Sequence, residues 1–297
     1  MPEASMRSGH KFAAEDSLVD AVVRSAAMLA GFDEPRREAR RLVAAAAEMD
    51  AAQLIAAPDS KLGAPAALRL DEILVRRLAH EPLSRILGSR EFFGREFALS
   101  SETLDPRPDT EVLIEAAKEL AHEEGWYDRP FHLIDVGTGT GILAITMLAE
   151  FSNATALATD ISAQALATAQ SNAERLGVAD RIRFLEARSL KGVEGSFDLL
   201  MSNPPYIVSA DIGTLDAEVR LYDPLAALDG GPDGLQVYRE IVADLSHSVP
   251  QGWALFEVGA DQASDVAGLL KGQEVRELRM WKDLGNHTRC VAGRTQF

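Results

Sequence analysis

The amino-acid sequence predicts a doubly wound α/β sheet preceded by a small domain of helices. From residue 131 onward, short apolar runs alternate with segments of helical periodicity, an order typical of parallel sheets covered by helices on both faces. Between residues 17 and 88, apolar residues instead recur at helical spacing alone. A chain of 297 residues has room for one large and one smaller domain, so both patterns can be accommodated.

The helical domain is predicted over residues 1–88. Its first helix begins behind Ser17, a favourable N-cap, and ends near Gly31. A second helix is expected to start around Asp33 and Pro35, since proline suits the first turn. A third helix is expected further along the chain. The predicted apolar faces are Leu18, Val22, Ala26 and Leu29 on the first helix, Ala39, Leu42, Val43 and Ala46 on the second, and Leu70, Ile73, Leu74 and Leu78 on the third.

A hairpin linker is predicted over residues 89–106, where the pattern changes to phenylalanines around Gly94. Residues 107–297 then form the sheet domain. Its strands are expected at residues 133–136, 154–158, 182–185, 197–201, 253–258 and 290–292. Because ligands of such sheets bind at the carboxyl ends of the strands, motifs that directly follow a strand are candidates for the functional site.

Charge and composition exclude several classes of function. The formal charge is -16, and residues 89–297 hold 18 Lys/Arg against 33 Asp/Glu. A surface this acidic repels phosphate backbones, so nucleic acid is not an expected partner, whereas a basic protein is. The six histidines and the single Cys290 show no metal-ligand spacing, which argues against a metal site.

The sequence also indicates where the protein acts. The first ten residues lack the apolar stretch of a secretory signal, and no run approaches the roughly 18 apolar residues of a membrane span. A lone cysteine excludes an internal disulfide framework and fits a reducing compartment. We therefore expect a cytoplasmic protein that does not enter the membrane.

A glycine-rich loop follows the first predicted strand of the sheet. It consists of Gly137, Thr138, Gly139, Thr140 and Gly141 and precedes a helical stretch. Such loops let the backbone approach a nucleotide-like ligand closely, although Ile142 departs from the dinucleotide fingerprint and disfavours NAD. Asp160 ends the next strand, where its carboxylate can accept hydrogen bonds from ribose hydroxyls, and Asp135 can organise the turn. The alternative is a purely structural turn with a helix-capping aspartate.

A stiff loop of Asn203, Pro204, Pro205 and Tyr206 follows the fourth predicted strand. The Asn203 side-chain oxygen and the Pro204 carbonyl can both accept hydrogen bonds from one NH₂ group, while Tyr206 can lie against a planar substrate. Two acceptors that hold the hydrogens of an amide would direct the nitrogen lone pair at an electrophile without a strong base. The alternative is an ordinary proline turn capped by asparagine.

These motifs resemble the release-factor glutamine methyltransferase (HemK) family over nearly the whole chain. The resemblance rests on residues 82–94 (PLSRILGSREFFG), residues 106–111 (PRPDTE), the glycine loop, Asp160 and the Asn-Pro-Pro-Tyr loop. Residues 220–228, with Asp223-Pro224, and residues 283–289 also look like family segments. The PRPDTE segment favours the release-factor enzymes over the related ribosomal-protein methyltransferases.

The resemblance implies a seven-stranded methyltransferase sheet whose seventh strand is antiparallel, and an N-terminal helical bundle that docks the protein substrate. The implied reaction moves a methyl group from S-adenosyl-L-methionine to the side-chain nitrogen N5 of the glutamine in the Gly-Gly-Gln motif of class I peptide chain release factors. The implied catalytic loop is Asn203 to Tyr206. The implied cofactor-binding residues are Gly137, Thr138, Gly139, Thr140, Gly141, Asp160, Ser189 and Asn203.

Two positions depart from the family pattern, and two other functions compete with this one. Arg188-Ser189 stands where family members often have an Asp-Trp pair near the adenine of the cofactor. Asp105 stands where they often have an apolar residue before the PRPDTE segment. For Asp105, Asp109 and Glu111, helix capping or solvated charge competes with a substrate role, and they are left out of catalysis. An adenine-N6 DNA methyltransferase would use a similar loop, but the acidic charge argues against it. A noncatalytic cofactor-binding adaptor would not need the loop.

Overall fold

The computed structural model describes residues 11–273 and 275–296. The first ten residues of the predicted helical domain, and residues 274 and 297 of the sheet domain, lie outside these ranges. The chain divides between Leu87 and Gly88 into two compact units.

The first unit is helical, and its apolar faces are those predicted from residue spacing. Ser17 caps the first helix by accepting a hydrogen bond from the Asp20 backbone nitrogen at 3.1 Å. All four predicted core residues of the second helix are buried, whereas Leu78 on the fourth is 37% exposed. The helices are α1 (Leu18–Met28), α2 (Pro35–Ala46), α3 (Ala51–Ala56), α4 (Ala64–Leu78) and α5 (Leu83–Leu87).

The second unit begins with an antiparallel hairpin, β1 (Ser89–Phe92) and β2 (Arg95–Ala98). Phe92 and Phe97 are buried in the core of this unit, so the hairpin predicted as a linker belongs structurally to the sheet domain. The α-helices that follow are α6 (Glu111–Glu123), α7 (Ile142–Glu150), α8 (Ala163–Arg175), α9 (Ala217–Tyr222), α10 (Gln236–Ala243), α11 (Leu245–Ser248) and α12 (Ala263–Lys271).

Seven strands form the central sheet, in the order β5-β4-β3-β6-β7-β9-β8. β9 runs antiparallel to both of its neighbours, and the other neighbouring pairs are parallel. The predicted doubly wound α/β class with an antiparallel seventh strand is therefore confirmed. The strands are β3 (Phe131–Val136), β4 (Ala154–Asp160), β5 (Ile182–Glu186), β6 (Leu199–Ser202), β7 (Trp253–Glu257), β8 (Glu277–Lys282) and β9 (Thr288–Arg294).

The interior strands carry apolar residues on both faces because helices cover the sheet on both sides. Leu133 and Ile134, neighbours on β3, are both fully buried and belong to the cores on opposite faces. β8 contains no apolar run, since three of the six residues of this edge strand are charged, and none of the six is buried. Within the described residues, no helix is both long and apolar enough to cross a membrane.

Candidate active site

The order of the sheet reverses between β3 and β6, and a cavity of about 900 Å³ opens there at the carboxyl ends of the strands. Such switch points are where open α/β sheets bind their ligands. Most residues predicted to bind the cofactor or to form the catalytic loop line this cavity. They are Gly137, Thr138, Gly139, Thr140, Asp160, Ser189, Asn203, Pro204 and Pro205.

The glycine loop is held from below by Asp135, the buried penultimate residue of β3. One carboxylate oxygen of Asp135 accepts hydrogen bonds from the Thr138 hydroxyl at 2.7 Å and from the Ala144 backbone nitrogen at 3.2 Å. Burial raises the pKa of Asp135 to about 6, against the effect of these two bonds. Asp135 therefore ties the loop to the first turn of α7, as its sequence position suggested.

Gly141, the last glycine of the loop, has a packing role and does not line the cavity. Its φ is +84°, and a Cβ atom there would lie 2.6 Å from Cδ1 of Ile145 and 3.2 Å from Cβ of Ala169. A side chain would both strain the backbone and separate α7 from α8.

Asp160, the last residue of β4, faces the glycine loop. Its two carboxylate oxygens accept hydrogen bonds from the backbone nitrogens of Gly139 at 2.9 Å and Ser162 at 3.0 Å. Burial raises the pKa of this carboxyl, and these backbone bonds oppose the rise. Because each carboxylate oxygen can accept a second hydrogen bond, Asp160 keeps capacity for a ligand hydroxyl.

The Asn-Pro-Pro-Tyr loop leaves β6 and is fastened to the segment that follows α9. The Ile207 nitrogen donates to the Leu228 carbonyl at 3.0 Å, and the Gly230 nitrogen donates to the Ile207 carbonyl at 2.8 Å. The Gln262 side chain donates to the Tyr206 carbonyl at 2.9 Å. These bonds fix the backbone that presents Asn203 to the cavity.

Tyr206 lies apart from the other members of its loop. It does not appear among the residues that line the cavity, and its ring packs against the apolar core that contains Tyr238 and Phe256. Burial raises the pKa of Tyr206 to about 12, so the phenol stays protonated at neutral pH. The Tyr206 ring therefore anchors the Asn-Pro-Pro-Tyr loop to this apolar core.

Two segments distant in sequence close one side of the cavity, residues 104–110 and residues 223–231. The buried Asp223 joins them, because its carboxylate accepts from the Asp105 backbone nitrogen at 3.2 Å and from the Arg107 guanidinium at 2.9 Å. Asp105 is itself 2% exposed and lies 3.7 Å from Arg90, measured between carboxylate and guanidinium. Of the alternatives weighed for Asp105, a solvated carboxylate is therefore excluded, since Asp105 belongs to this buried network.

The two carboxylates of the PRPDTE segment, which follows Asp105, also have structural partners. Glu111, the first residue of α6, accepts a hydrogen bond from the Phe93 nitrogen at 2.9 Å and thereby holds the turn of the β1–β2 hairpin. Asp109 pairs with Arg289 at 2.9 Å. Neither carboxylate lines the cavity.

Arg188 and Ser189, where the sequence departs from the family pattern, line the cavity after β5. The Arg188 guanidinium donates two hydrogen bonds, at 2.9 and 2.7 Å, to the Glu240 carboxylate and is thereby fixed at the wall. The Ser189 hydroxyl is buried and has no hydrogen-bond partner among the described residues. A buried hydroxyl of this kind is suited to meet a polar ligand atom.

Comparison with known proteins agrees with this architecture. The PrmC N-terminal domain family matches residues 20–88, and the methyltransferase small domain family matches residues 100–219. Among solved structures, the chain is similar to the human METTL16 catalytic domain in complex with the MAT2A 3'UTR hairpin 6. The TM-score is 0.56, and the match covers 78% of this chain and 82% of that one. The sequence identity is 17%, so this similarity indicates a shared fold and nothing further.

Full-length relatives are more similar. The release factor glutamine methyltransferase of Cereibacter sphaeroides is 43% identical over 283 residues, which are 95% of this chain and 98% of the relative. The protein of the same name from Rhodospirillum rubrum is 41% identical over 267 residues, 90% of this chain and 81% of the relative. The chain is therefore a methyltransferase and belongs to the release factor glutamine methyltransferase family.

Proposed function

We propose that this chain methylates the side-chain amide nitrogen N5 of the glutamine in the Gly-Gly-Gln motif of bacterial class I release factors, with S-adenosyl-L-methionine as donor. The observation that carries the proposal is that the glycine loop, Asp160 and the Asn203-Pro204 pair line one cavity at the switch point of the sheet. The names of the relatives support glutamine as the acceptor.

The residues of the cavity fit this donor. Asp160 has free acceptor capacity for ribose hydroxyls, and the buried Ser189 hydroxyl can bond a polar atom of the nucleoside. Residues 137–140 bring backbone close to the ligand without bulky side chains. When bound, S-adenosyl-L-methionine supplies an electrophilic methyl group on a sulfonium.

Asn203 and Pro204 would hold the acceptor. An amide nitrogen is a poor nucleophile because its lone pair is delocalised into the carbonyl group. The two N–H groups of the amide would donate hydrogen bonds to the Asn203 Oδ1 and to the Pro204 carbonyl oxygen. These bonds would turn the nitrogen lone pair toward the methyl group. This is orientation and electrostatic preorganisation, and it needs no base before transfer. As the methyl group leaves the sulfonium sulfur for the nitrogen, the nitrogen becomes positively charged, and it then releases one of its two hydrogens as a proton to water.

The helical unit would dock the release factor. Val19 and Val23 lie one turn apart on α1 and are 42% and 60% exposed, which leaves an apolar strip available for a protein partner. The match of residues 20–88 to a family-specific domain supports a dedicated role. A translation factor as substrate would place the enzyme in the cytoplasm.

Methyl transfer to intact release factor tests the proposed function. The chain is incubated with methyl-labelled S-adenosyl-L-methionine and either a class I release factor, a ribosomal protein or DNA, and the products are mapped by tandem mass spectrometry. We expect one methyl group on the glutamine side chain of the Gly-Gly-Gln motif. A release factor with glutamate there should gain none, because a carboxylate would face the two acceptors of the loop. Methyl on lysine, on the backbone or on adenine would contradict the proposal.

Asp160→Ala should weaken binding of S-adenosyl-L-methionine. Loss of a charged acceptor on the ribose hydroxyls is expected to cost roughly 1.5 to 3 kcal/mol of binding free energy. Calorimetric titration measures the change, and the melting temperature shows whether the glycine loop still folds. Asp180→Ala is a suitable control, since Asp180 is an exposed aspartate of the same unit and does not line the cavity. An unchanged dissociation constant for Asp160→Ala would remove this residue from the cofactor site.

A further inference from the structure

Thr110 occupies a position where threonine usually caps a helix, but it serves another purpose. It precedes α6, is fully buried, and makes no side-chain capping bond to the helix. Its hydroxyl oxygen instead accepts a hydrogen bond from the Asn203 Nδ2 at 3.4 Å. Thr110 also lines the cavity beside Asn203. The hydroxyl therefore contacts the side chain that the proposed reaction uses.

Glu257 lies at the end of β7, the neighbour of the strand β6 that Asn203 follows. It is 2% exposed, and its Oε2 has no hydrogen-bond partner among the described residues. Burial raises the pKa of Glu257 to about 7, and the charge of Asp109 adds to the rise. The polar side chains of Thr110 and Asn203 and the cation of Arg289 lower it. Ser202 of β6 is registered with Phe256 of β7, so Asn203 and Glu257 directly follow paired residues on adjacent strands.

A buried carboxylate without full hydrogen bonding destabilises a protein, and an apolar residue of similar volume often stabilises the same place. Glu257 is the last residue of the otherwise apolar strand β7, between Phe256 and Val258, both fully buried. Packing alone therefore gives no reason for a carboxylate here. Its position beside Asn203 suggests a role in the reaction.

We propose that Glu257 and Thr110 are positioning residues that fix the Asn203 carboxamide, with Nδ2 turned toward Thr110 and Oδ1 toward the cavity. The two ends of a carboxamide have nearly the same shape, so packing does not distinguish them. If the Asn203 carboxamide were flipped, its NH₂ donor would face the NH₂ group of the substrate, and the hydrogen bond that Oδ1 accepts from the substrate would be lost. The inference rests on the proposed function, because it assumes an acceptor that carries an NH₂ group.

Thr110→Val tests the inference with little change of shape. We expect it to lower the single-turnover rate of methyl transfer by at least about 10-fold, on the scale of a lost preorganised contact. The affinity for S-adenosyl-L-methionine should change less than about twofold, since Thr110 acts on the acceptor side. Thr110→Ser keeps the hydroxyl and should restore the rate to within about threefold of the unmodified chain. Equal rates for the valine variant and the unmodified chain would overturn the inference.

Thr146→Val is the matched control. Thr146 is also fully buried, and its hydroxyl has no partner among the described residues. Its replacement should leave the rate unchanged. If Thr146→Val lowers the rate as much as Thr110→Val, the loss reflects general damage to the core and the inference fails.

Glu257 provides a second, independent pair of variants should Thr110→Val fail to fold. Glu257→Gln keeps an acceptor oxygen and should retain the rate to within about threefold, whereas Glu257→Leu should lower it at least about 10-fold. Equal rates for glutamine and leucine variants would contradict the positioning role.

A double-mutant cycle separates positioning from structural support. In an Asn203→Ala background, Thr110→Val should have no further effect on the rate, because the side chain that it orients is gone. Additive losses would contradict the inference. Failure of the proposed function looks different, since the unmodified chain would then leave the release-factor glutamine unmethylated.

Discussion

Asn203→Ala is expected to lower the rate constant for methyl transfer by about 100-fold or more, the scale of losing one preorganised polar contact in a transition state. The substitution removes the side-chain acceptor and leaves the Pro204 carbonyl alone to hold the amide. The fold should survive, because Asn203 is only half-buried and its side-chain hydrogen bond to Thr110 is long, at 3.4 Å.

Single-turnover kinetics at saturating release factor measure this effect without the contribution of product release. The dissociation constant of S-adenosyl-L-methionine should change much less than the rate, and the melting temperature should stay near that of the unmodified chain. A transfer rate near the original value would show that the amide is not held by Asn203.

Gly234→Ala is expected to inactivate the enzyme from a distance. Gly234 has φ +72°, and a Cβ atom there would lie 2.5 Å from both the Tyr206 carbonyl oxygen and the Gln262 Nε2. The left-handed backbone alone costs an alanine roughly 1 to 2 kcal/mol, and the clash adds to this. Because the backbone of Tyr206 must move, the loop that carries Asn203 moves with it, and we expect transfer to fall at least about 10-fold.

Gly213→Ala is the control for this substitution. Gly213 lies in the 3-10 helix Ser209–Thr214, has no positive φ, and would place its Cβ in open space. Both variants are compared by thermal unfolding and by transfer rate. If Gly234→Ala transfers methyl groups as fast as Gly213→Ala, the backbone around Tyr206 does not control the geometry of the loop.

The parts of the fold and site that depend on local sequence could be predicted. Apolar runs in the sequence predicted the interior strands, because a strand that is buried on both faces is apolar along its length. The glycine loop, Asp160 and Asn203 follow directly from their strands, so their meeting at one edge of the sheet followed from chain order. The roles of these residues in binding and catalysis remain predictions.

The parts that depend on contacts between distant residues could not be predicted. Asp105 and Asp223 are 118 positions apart, and no spacing rule relates them. The same holds for Thr110 and Glu257, because Thr110 meets Asn203 across 93 positions and Glu257 comes beside Asn203 through the pairing of β6 with β7. The signal that could have pointed to Glu257 in the sequence is a carboxylate within an apolar run, because a carboxylate is costly to bury.

The placement of β9 between β7 and β8 has a consequence for partial unfolding. Among the described strands, β8 pairs with β9 alone, so its backbone amides lose their protection from hydrogen exchange once β9 has left. The two strands must therefore detach together, and their departure would bare the edge of β7. Glu257, whose backbone is registered with Cys290 of β9, would meet water in the same event. Under the proposed positioning role of Glu257, a local opening at this edge of the sheet would lower the rate of methyl transfer while the glycine loop at β3 stays folded.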